Sequence, residues 1–254
     1  MLSTTVHKAL IKLLGFRVLL LHGDTLVLDR WRWLRRRVGS GHSVLDVGCG
    51  SGAFTIGLSL AGNESLGISW SAEATGKAIE RAKLLGAVNA KFMTLDIRQL
   101  DQVTTLHNAF DVVVCCEVIE HIIDDSRLMN SMALCLKPGG QMLLTTPNLN
   151  SRPMFGDTDV LSSTEDGGHV RPGYNPAMLQ TLAAKANLTE ASVSYCSGFV
   201  SQQVTGILRR VATMHPIVRW CATLPLRALV FVDKNATALL RWPDYSICLQ
   251  ATKK

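Results

Sequence analysis

Between Val44 and Pro147 short apolar runs alternate with segments of helical period. Val44–Val47, Ser65–Ile68, Ala90–Leu95, the run FDVVVCCEV from Phe110 and QMLLTTP from Gln141 read as five strands. The FDVVVCCEV run is apolar through its middle, as a central parallel strand buried on both faces requires. Ala53–Leu60 reads as a helix stopped by Gly62-Asn63. Ser71 can cap a helix to Leu85, with Ala74, Ala78, Ala82 and Leu85 at helical spacing and Gly86 as its stop. Ser126–Leu136 repeats the period through Leu128, Met132 and Leu136, and Pro138-Gly139-Gly140 should end it. Strands separated by helices predict an α/β, doubly wound, mostly parallel sheet.

The chain beyond Pro147 reads differently. Residues 148–175 have no period, and a loop of that length is usually functional or disordered. Asn175-Pro176 opens a further helix as N-cap and first-turn proline. ASVSYCSGF and YSICLQATK alternate apolar and polar residues, so two late strands, paired antiparallel, bring the sheet to seven. Basic, apolar helical sequence over about 200–241 forms an insertion before the last strand. Residues 1–40 read as an N-terminal helical extension, with Val6, Ala9, Leu10, Leu13 and Leu14 at helical spacing, and 41–254 as the main domain.

Charge changes the picture at the flanks. The net charge is +6, but residues 1–37 hold eight Lys/Arg against two Asp, and 200–241 hold six against one. The body between and beyond them is acidic. Trp31 and Trp33 lie among Arg30, Arg32, Arg35, Arg36 and Arg37, and GILRRVATMHPIVRWCATLPLRALVFV mixes apolar runs with arginines, broken at Pro216 and Pro225. These traits suit two helical segments packed on each other as a lid over the active site, or such a lid that also docks on an anionic membrane surface. No apolar run approaches the ~20 residues of a spanning helix. The first residues lack a signal-peptide pattern, and the seven scattered cysteines lack a C-x-x-C pair. A cytoplasmic location, with association at the cytoplasmic membrane face, is the expectation.

The chemistry starts at VLDVGCGSG, residues 44–52. Alternating glycines at the end of a first strand let a ligand approach the main chain. Gly48, Gly50 and Ala53 formally satisfy G-x-G-x-x-[GA], but a dinucleotide site needs an acid about twenty residues on. That region reads LGISWS, without one. Asp46, just before the glycines, suits a ligand that carries an amino cation.

With TLDIRQL, FDVVVCCEVIEHI, LKPGGQMLLTTPN and GGHVRPGYNPAMLQTLAAKANL in order, residues 44–188 resemble the class I S-adenosylmethionine-dependent methyltransferases, in the subgroup of ubiquinone and glycan-type O-methyltransferases. The resemblance implies a Rossmann-like methyltransferase fold and S-adenosyl-L-methionine as cofactor. Gly48, Cys49, Gly50 and Gly52 would then pass under its methionine half, and Asp46 would hold its amino group. Asp96 and Ile97 would bracket the adenine, and Cys116 and Glu117 would close the pocket. Ser69 and Trp70 stand where relatives carry a ribose-binding acid; Glu73 is the candidate substitute.

If EVIEH begins a helical turn, Glu117, Glu120 and His121 share one face at the mouth of the fourth strand. His121 is then the natural general base and His169 the second candidate, because imidazole accepts a proton near neutrality. The reading needs no metal. In the alternative, Glu117, Glu120, His121 and His169 hold a divalent ion, as the resemblance allows. His7, His22, His42, His107 and His215 should face solvent, and Cys115, Cys116 and Cys135 should be core packing. The expected activity is O-methylation of a hydroxyl on a small-molecule, lipid-linked or glycan-type acceptor. The competing classes are a cofactor-binding module without turnover and a nucleic-acid methyltransferase, for which no N/D-P-P-Y tetrapeptide is present.

Overall fold

A computed structural model describes residues 11, 13, 15–21, 25–152, 160–211, 226 and 229–254. The expectations for Val6, Ala9, Leu10 and Leu14, for His7, His22 and His215, and for the breaks at Pro216 and Pro225 lie outside the described residues.

Seven strands form one sheet: β1 (Ser43–Val47), β2 (Glu64–Ser69), β3 (Ala90–Thr94), β4 (Phe110–Cys116), β5 (Leu136–Pro147), β6 (Leu188–Cys196) and β7 (Ser246–Lys253). Their order is β3-β2-β1-β4-β5-β7-β6. The first five run parallel, and β7 is antiparallel to both β5 and β6. Strand order therefore reverses between β1 and β4, the place where α/β sheets open a crevice at their carboxyl ends. The glycine turn follows β1 and EVIEH follows β4, so topology alone brings these two segments together.

Side-chain alternation along the central strands divides the core. Leu45, Val47, Val113 and Cys115 face the helices Asp125–Cys135 and Pro176–Lys185, burying Leu128, Met129, Met132, Leu179 and Leu182. Val44, Val112 and Val114 face the other way, onto Leu58 of the helix Ala53–Leu60 and onto Trp33 and Leu34 of the helix Thr25–Arg35. Full burial of such a side chain contributes about 1.5–3 kcal/mol. The helix Ala72–Leu85 is capped as expected, by the Ser71 hydroxyl at one end and Gly86 in the left-handed conformation at the other.

One boundary differs from expectation. The Asp125 helix ends at Cys135, and β5 already begins at Leu136. Phe110 pairs with Leu136 but Val112 with Gln141, so Pro138-Gly139-Gly140 forms an irregularity inside the strand.

The arginine- and tryptophan-rich extension is also used differently. Leu26, Arg30, Trp33 and Leu34 form one buried stripe of the Thr25–Arg35 helix. Trp33 donates its indole N–H to Ser194 Oγ at 2.9 Å, and Arg37 lies over the Trp33 ring. Trp31 stacks on Phe54 and meets Phe16 edge-on; a Cβ at Gly57 would lie 2.6 Å from the Trp31 ring, so glycine makes room for it. These residues pack the extension onto the sheet, while Arg35 and Arg36 are exposed. Thr25 Oγ1 donates to Ser201 O and lies 2.8 Å from Thr205 Oγ1, both in the helix Phe199–Arg210. The described parts of extension and insertion thus pack on each other, as the lid alternative requires.

Candidate active site

A cavity of about 300 Å³ opens at the β1/β4 switch point. Gly48, Gly50, Ser69, Trp70, Asp96, Ile97, Glu117 and His121 line it. The three glycines of the first turn have separate reasons to be glycine. All have positive φ. A Cβ on Gly48 would lie 2.4 Å from Val118 Cγ2, and one on Gly52 2.8 Å from Phe92 and Ala78. A Cβ on Gly50 would meet nothing within 4 Å. Gly48 and Gly52 therefore permit close packing, while Gly50 leaves its main chain open to a ligand.

Asp46 is 2% exposed and does not line the cavity. Thr55 Oγ1 donates to its Oδ2 at 2.7 Å. Burial raises the Asp46 carboxyl to about 6, against the lowering pull of the Thr55 hydrogen bonds. Cys49 and Cys116 lie outside the cavity lining as well. Cys116 packs with the Trp33 cluster, and burial pushes both thiols up, as packing residues require. Ser69 is buried and accepts from Ser71 N, whereas Trp70 is 75% exposed at the rim. Glu73 is ion-paired with Lys77 on the surface and does not line the cavity, whereas Ser69 and Trp70 do.

Asp96 does not face the cavity with a free carboxylate. Arg98 Nε lies 2.9 Å from both its oxygens, and this contact holds the Asp96 carboxyl below its usual range.

The EVIEH segment departs from a shared helical face. Glu117 has φ +53°, which turns its side chain out of helical register, and only Ile119–His121 forms a single 3-10 turn. The Glu117 carboxylate accepts from Thr145 Oγ1 (3.0 Å) and Ser246 Oγ (3.2 Å) and pairs with Arg30 at 3.2 Å. Glu120 instead is fully buried, accepts from Thr146 Oγ1 at 3.0 Å, and keeps Oε1 without a hydrogen-bond partner. Burial first, and the nearby Glu117 charge second, push its carboxyl well up.

His121 Nδ1 lies 2.9 Å from Gly168 O. A carbonyl only accepts, so Nδ1 carries the proton and Nε2 the lone pair. The ring of His169 meets that of His121 edge-on at 4.8 Å. Glu120, His121 and His169 thus come together, with ligand atoms all within 4.8 Å of one another, and Glu117 does not join them. Elsewhere, His42 and His107 are half-buried, not solvent-facing; His107 Nε2 sits 3.1 Å from Asp101 O.

Arg30 escaped the sequence reading because it sits in a run of arginines. The signal was present: Leu26, Arg30, Trp33 and Leu34 have the i, i+4, i+7, i+8 spacing of one helical face, so Arg30 occupies a place on an apolar stripe.

Residues 26–193 match a family model described as a methyltransferase domain. The chain belongs to this methyltransferase family. It is 33% identical to the ubiquinone biosynthesis O-methyltransferase of Pseudomonas fluorescens Pf-5 over 166 residues, covering 63% of this chain and 70% of that protein. The protein of the same name from Dechloromonas aromatica is 30% identical over 162 residues, covering 61% and 68%. Among solved structures, phosphoethanolamine N-methyltransferase 2 of Haemonchus contortus, in complex with S-adenosyl-L-methionine, superposes with TM-score 0.61 at 18% identity, covering 97% of this chain and 60% of that one. The YcgJ protein of Bacillus subtilis gives 0.57 at 19% identity, covering 89% and 98%. These two likenesses show the shared fold. This methyltransferase is an S-adenosylmethionine-dependent enzyme.

Proposed function

We propose that this methyltransferase transfers the methyl group to a hydroxyl oxygen of a small, lipid-linked acceptor. His121 Nε2 takes the hydroxyl proton as the oxygen attacks the sulfonium methyl in line. The methyl–sulfur bond breaks, and S-adenosylhomocysteine leaves. Alignment of the two reactants can supply on the order of 7–11 kcal/mol, and the base a further 10²–10⁴-fold. The observation that supports the reading is His121 itself: the residue lines the Gly50 cavity, and Gly168 O engages Nδ1, which leaves Nε2, 3.9 Å from Glu120 Oε1, as the acceptor. The names of the relatives favour oxygen as the methyl acceptor. In this reading Gly48, Gly50, Ser69, Trp70, Asp96, Ile97 and Glu117 line the cofactor's cavity, and Asp46, buried just outside the lining, acts on its amino group through water. The test is a methylation screen with labelled cofactor against polyprenylated phenols, soluble phenols, glycans and RNA. Label in an ether on a polyprenylated phenol supports the proposal; label in RNA, or none, refutes it.

The Glu120, His121 and His169 cluster supports a second reading, in which the three hold a divalent ion. The unpartnered Glu120 Oε1 and two imidazoles are a fitting donor set. Such an ion would lower the acceptor hydroxyl's pKa and orient it. Full activity after exhaustive chelation would refute it.

The insertion supports a membrane-facing role. Leu229, Val232, Leu239 and Leu240 are exposed beside exposed Lys234 and Arg241, and Asp233 is buried, accepting from Gly198 N and Ser201 N. No helix among the described residues is long and apolar enough to cross a membrane. Each basic residue near an anionic surface contributes about 1 kcal/mol, screened by salt. Co-sedimentation with anionic vesicles at low salt, lost at high salt, is expected. A protein that stays in the supernatant at low salt would rule the membrane out.

A further inference from the structure

Residues 160–171 cross the mouth of the cavity and are tied down at two ends. At the inner end Gly168 O meets His121 Nδ1, and Val170 N donates to Glu120 O at 2.9 Å. Arg171 adds bonds to Ile122 O and Ile123 O at 2.7 and 2.8 Å and pairs with Asp125. At the outer end a single carboxylate does the holding. Glu165 Oε1 accepts from Ile123 N at 2.6 Å, and Oε2 accepts from Arg98 Nη1 at 2.8 Å. The other edge of the same guanidinium grips Asp96. Asp96, Arg98, Glu165 and Gly167 all line the cavity that Gly48 and Gly50 line.

We propose that Arg98 is a positioning residue: by bridging Asp96 and Glu165 it latches the outer part of the 160–171 strap over the cofactor, while the inner end stays seated on His121. The inference rests on the reading of this cavity as the cofactor's.

The asymmetry of the latch says why it can open. The Glu165 side chain is 17% exposed and fixed by a backbone amide, whereas Arg98 is 52% exposed. An ion pair with one exposed partner is weak and screened by salt. It can hold a strap closed for much of the time and still let go. The inner end, with its several bonds to main-chain carbonyls and amides, stays as the hinge side. Cofactor exchange then requires the Arg98–Glu165 contact to break, and its rate should carry the signature of an exposed ion pair.

Release of S-adenosylhomocysteine from the intact enzyme, followed by stopped-flow displacement at low and high salt, tests this. Arg98→Met and Glu165→Gln should each speed release about 3–10-fold. The Gln amide oxygen can still accept from Ile123 N, so Glu165→Gln removes the charge and keeps the fold; it also leaves Asp96 untouched. The double variant should release no faster than the faster single variant. Salt should speed release from the wild type and leave both variants unchanged. Hydrogen exchange at the Ile123 amide should rise in Arg98→Met while that at the Val170 amide, on the hinge side, stays unchanged. Unchanged release in both variants, additive effects, or equal salt dependence in wild type and variants would overturn the latch. Gly50→Val separates the underlying reading. If it binds S-adenosylhomocysteine as the wild type does, the cavity is not the cofactor's. If it abolishes binding while the latch variants release normally, only the latch is wrong.

Discussion

Replacing Asp46 with asparagine should stabilise the free enzyme and weaken its cofactor binding, and both effects should depend on pH. Asp46 is 2% exposed, and burial raises its carboxyl from 3.8 to about 6. In the unfolded chain it ionises near 3.8, so the folded state holds its proton more tightly. The contribution to stability is therefore present below about pH 4 and lost as pH rises through about 6. A rise from 3.8 to about 6 corresponds to about 3 kcal/mol. The asparagine side chain would avoid that cost and still accept from Thr55 Oγ1, the existing 2.7 Å partner. At pH 8 the free Asp46→Asn variant should gain up to about 3 kcal/mol, which for this size of chain is roughly 6–12 °C in Tm. At pH 4.5 the difference should shrink to about 1 kcal/mol, roughly 2–4 °C. Cofactor binding should run the other way, because the amino cation restores what burial removes. Wild-type affinity for S-adenosylhomocysteine should fall about tenfold between pH 7 and pH 5, as the free enzyme takes up a proton that binding must expel. In Asp46→Asn affinity should be lower throughout, about 10–100-fold at pH 7 for a lost charged hydrogen bond, and this dependence should vanish. Calorimetry and thermal melts across pH 4.5–8 measure both. A variant that is less stable at pH 8, or whose affinity keeps the wild-type pH dependence, would refute the reasoning.

Three further outcomes follow from the site. His121→Ala should lower turnover about 10²–10⁴-fold in a radiolabel assay while calorimetry shows S-adenosylhomocysteine binding nearly unchanged; a matched loss of binding would make the residue structural. Gly48→Ala and Gly50→Ala should part company: the first meets Val118 and should lose stability by about 1–3 kcal/mol in urea titration, partly recovered with Val118→Ala, while the second should chiefly lose cofactor affinity. Arg30→Met leaves the half-buried Glu117 carboxylate without its cation and should cost about 1–3 kcal/mol, most of it recovered in Arg30→Met with Glu117→Gln; a double variant as unstable as the single would deny the ion pair that role.

What was legible in the sequence followed from repetition. A strand such as Val44–Val47 or a helix such as Ala72–Leu85 announces itself through several residues obeying one period and through caps such as Ser71 and Gly86. Strand order was legible only as a class, yet that class already fixed where the glycine turn and EVIEH would meet. Single-residue geometry was not legible in the same way. Nothing local to Glu117 distinguishes a helical turn from a residue at φ +53°, and that one dihedral decides which way its carboxylate points. Helical geometry would have placed Glu117, Glu120 and His121 together on one face. The observed turn sends Glu117 to Arg30, Thr145 and Ser246, which satisfy it, and leaves Glu120 beside His121 with one oxygen unpartnered. The Glu117 charge then helps keep buried Glu120 neutral, since two nearby carboxylates resist ionising together. The partners that hold Glu117 away from His121 include Arg30, which comes from a helix outside the ordered motifs. The chemical character of EVIEH is thus set in part by a residue that precedes even the VLDVGCGSG segment, and only the fold brings the two together.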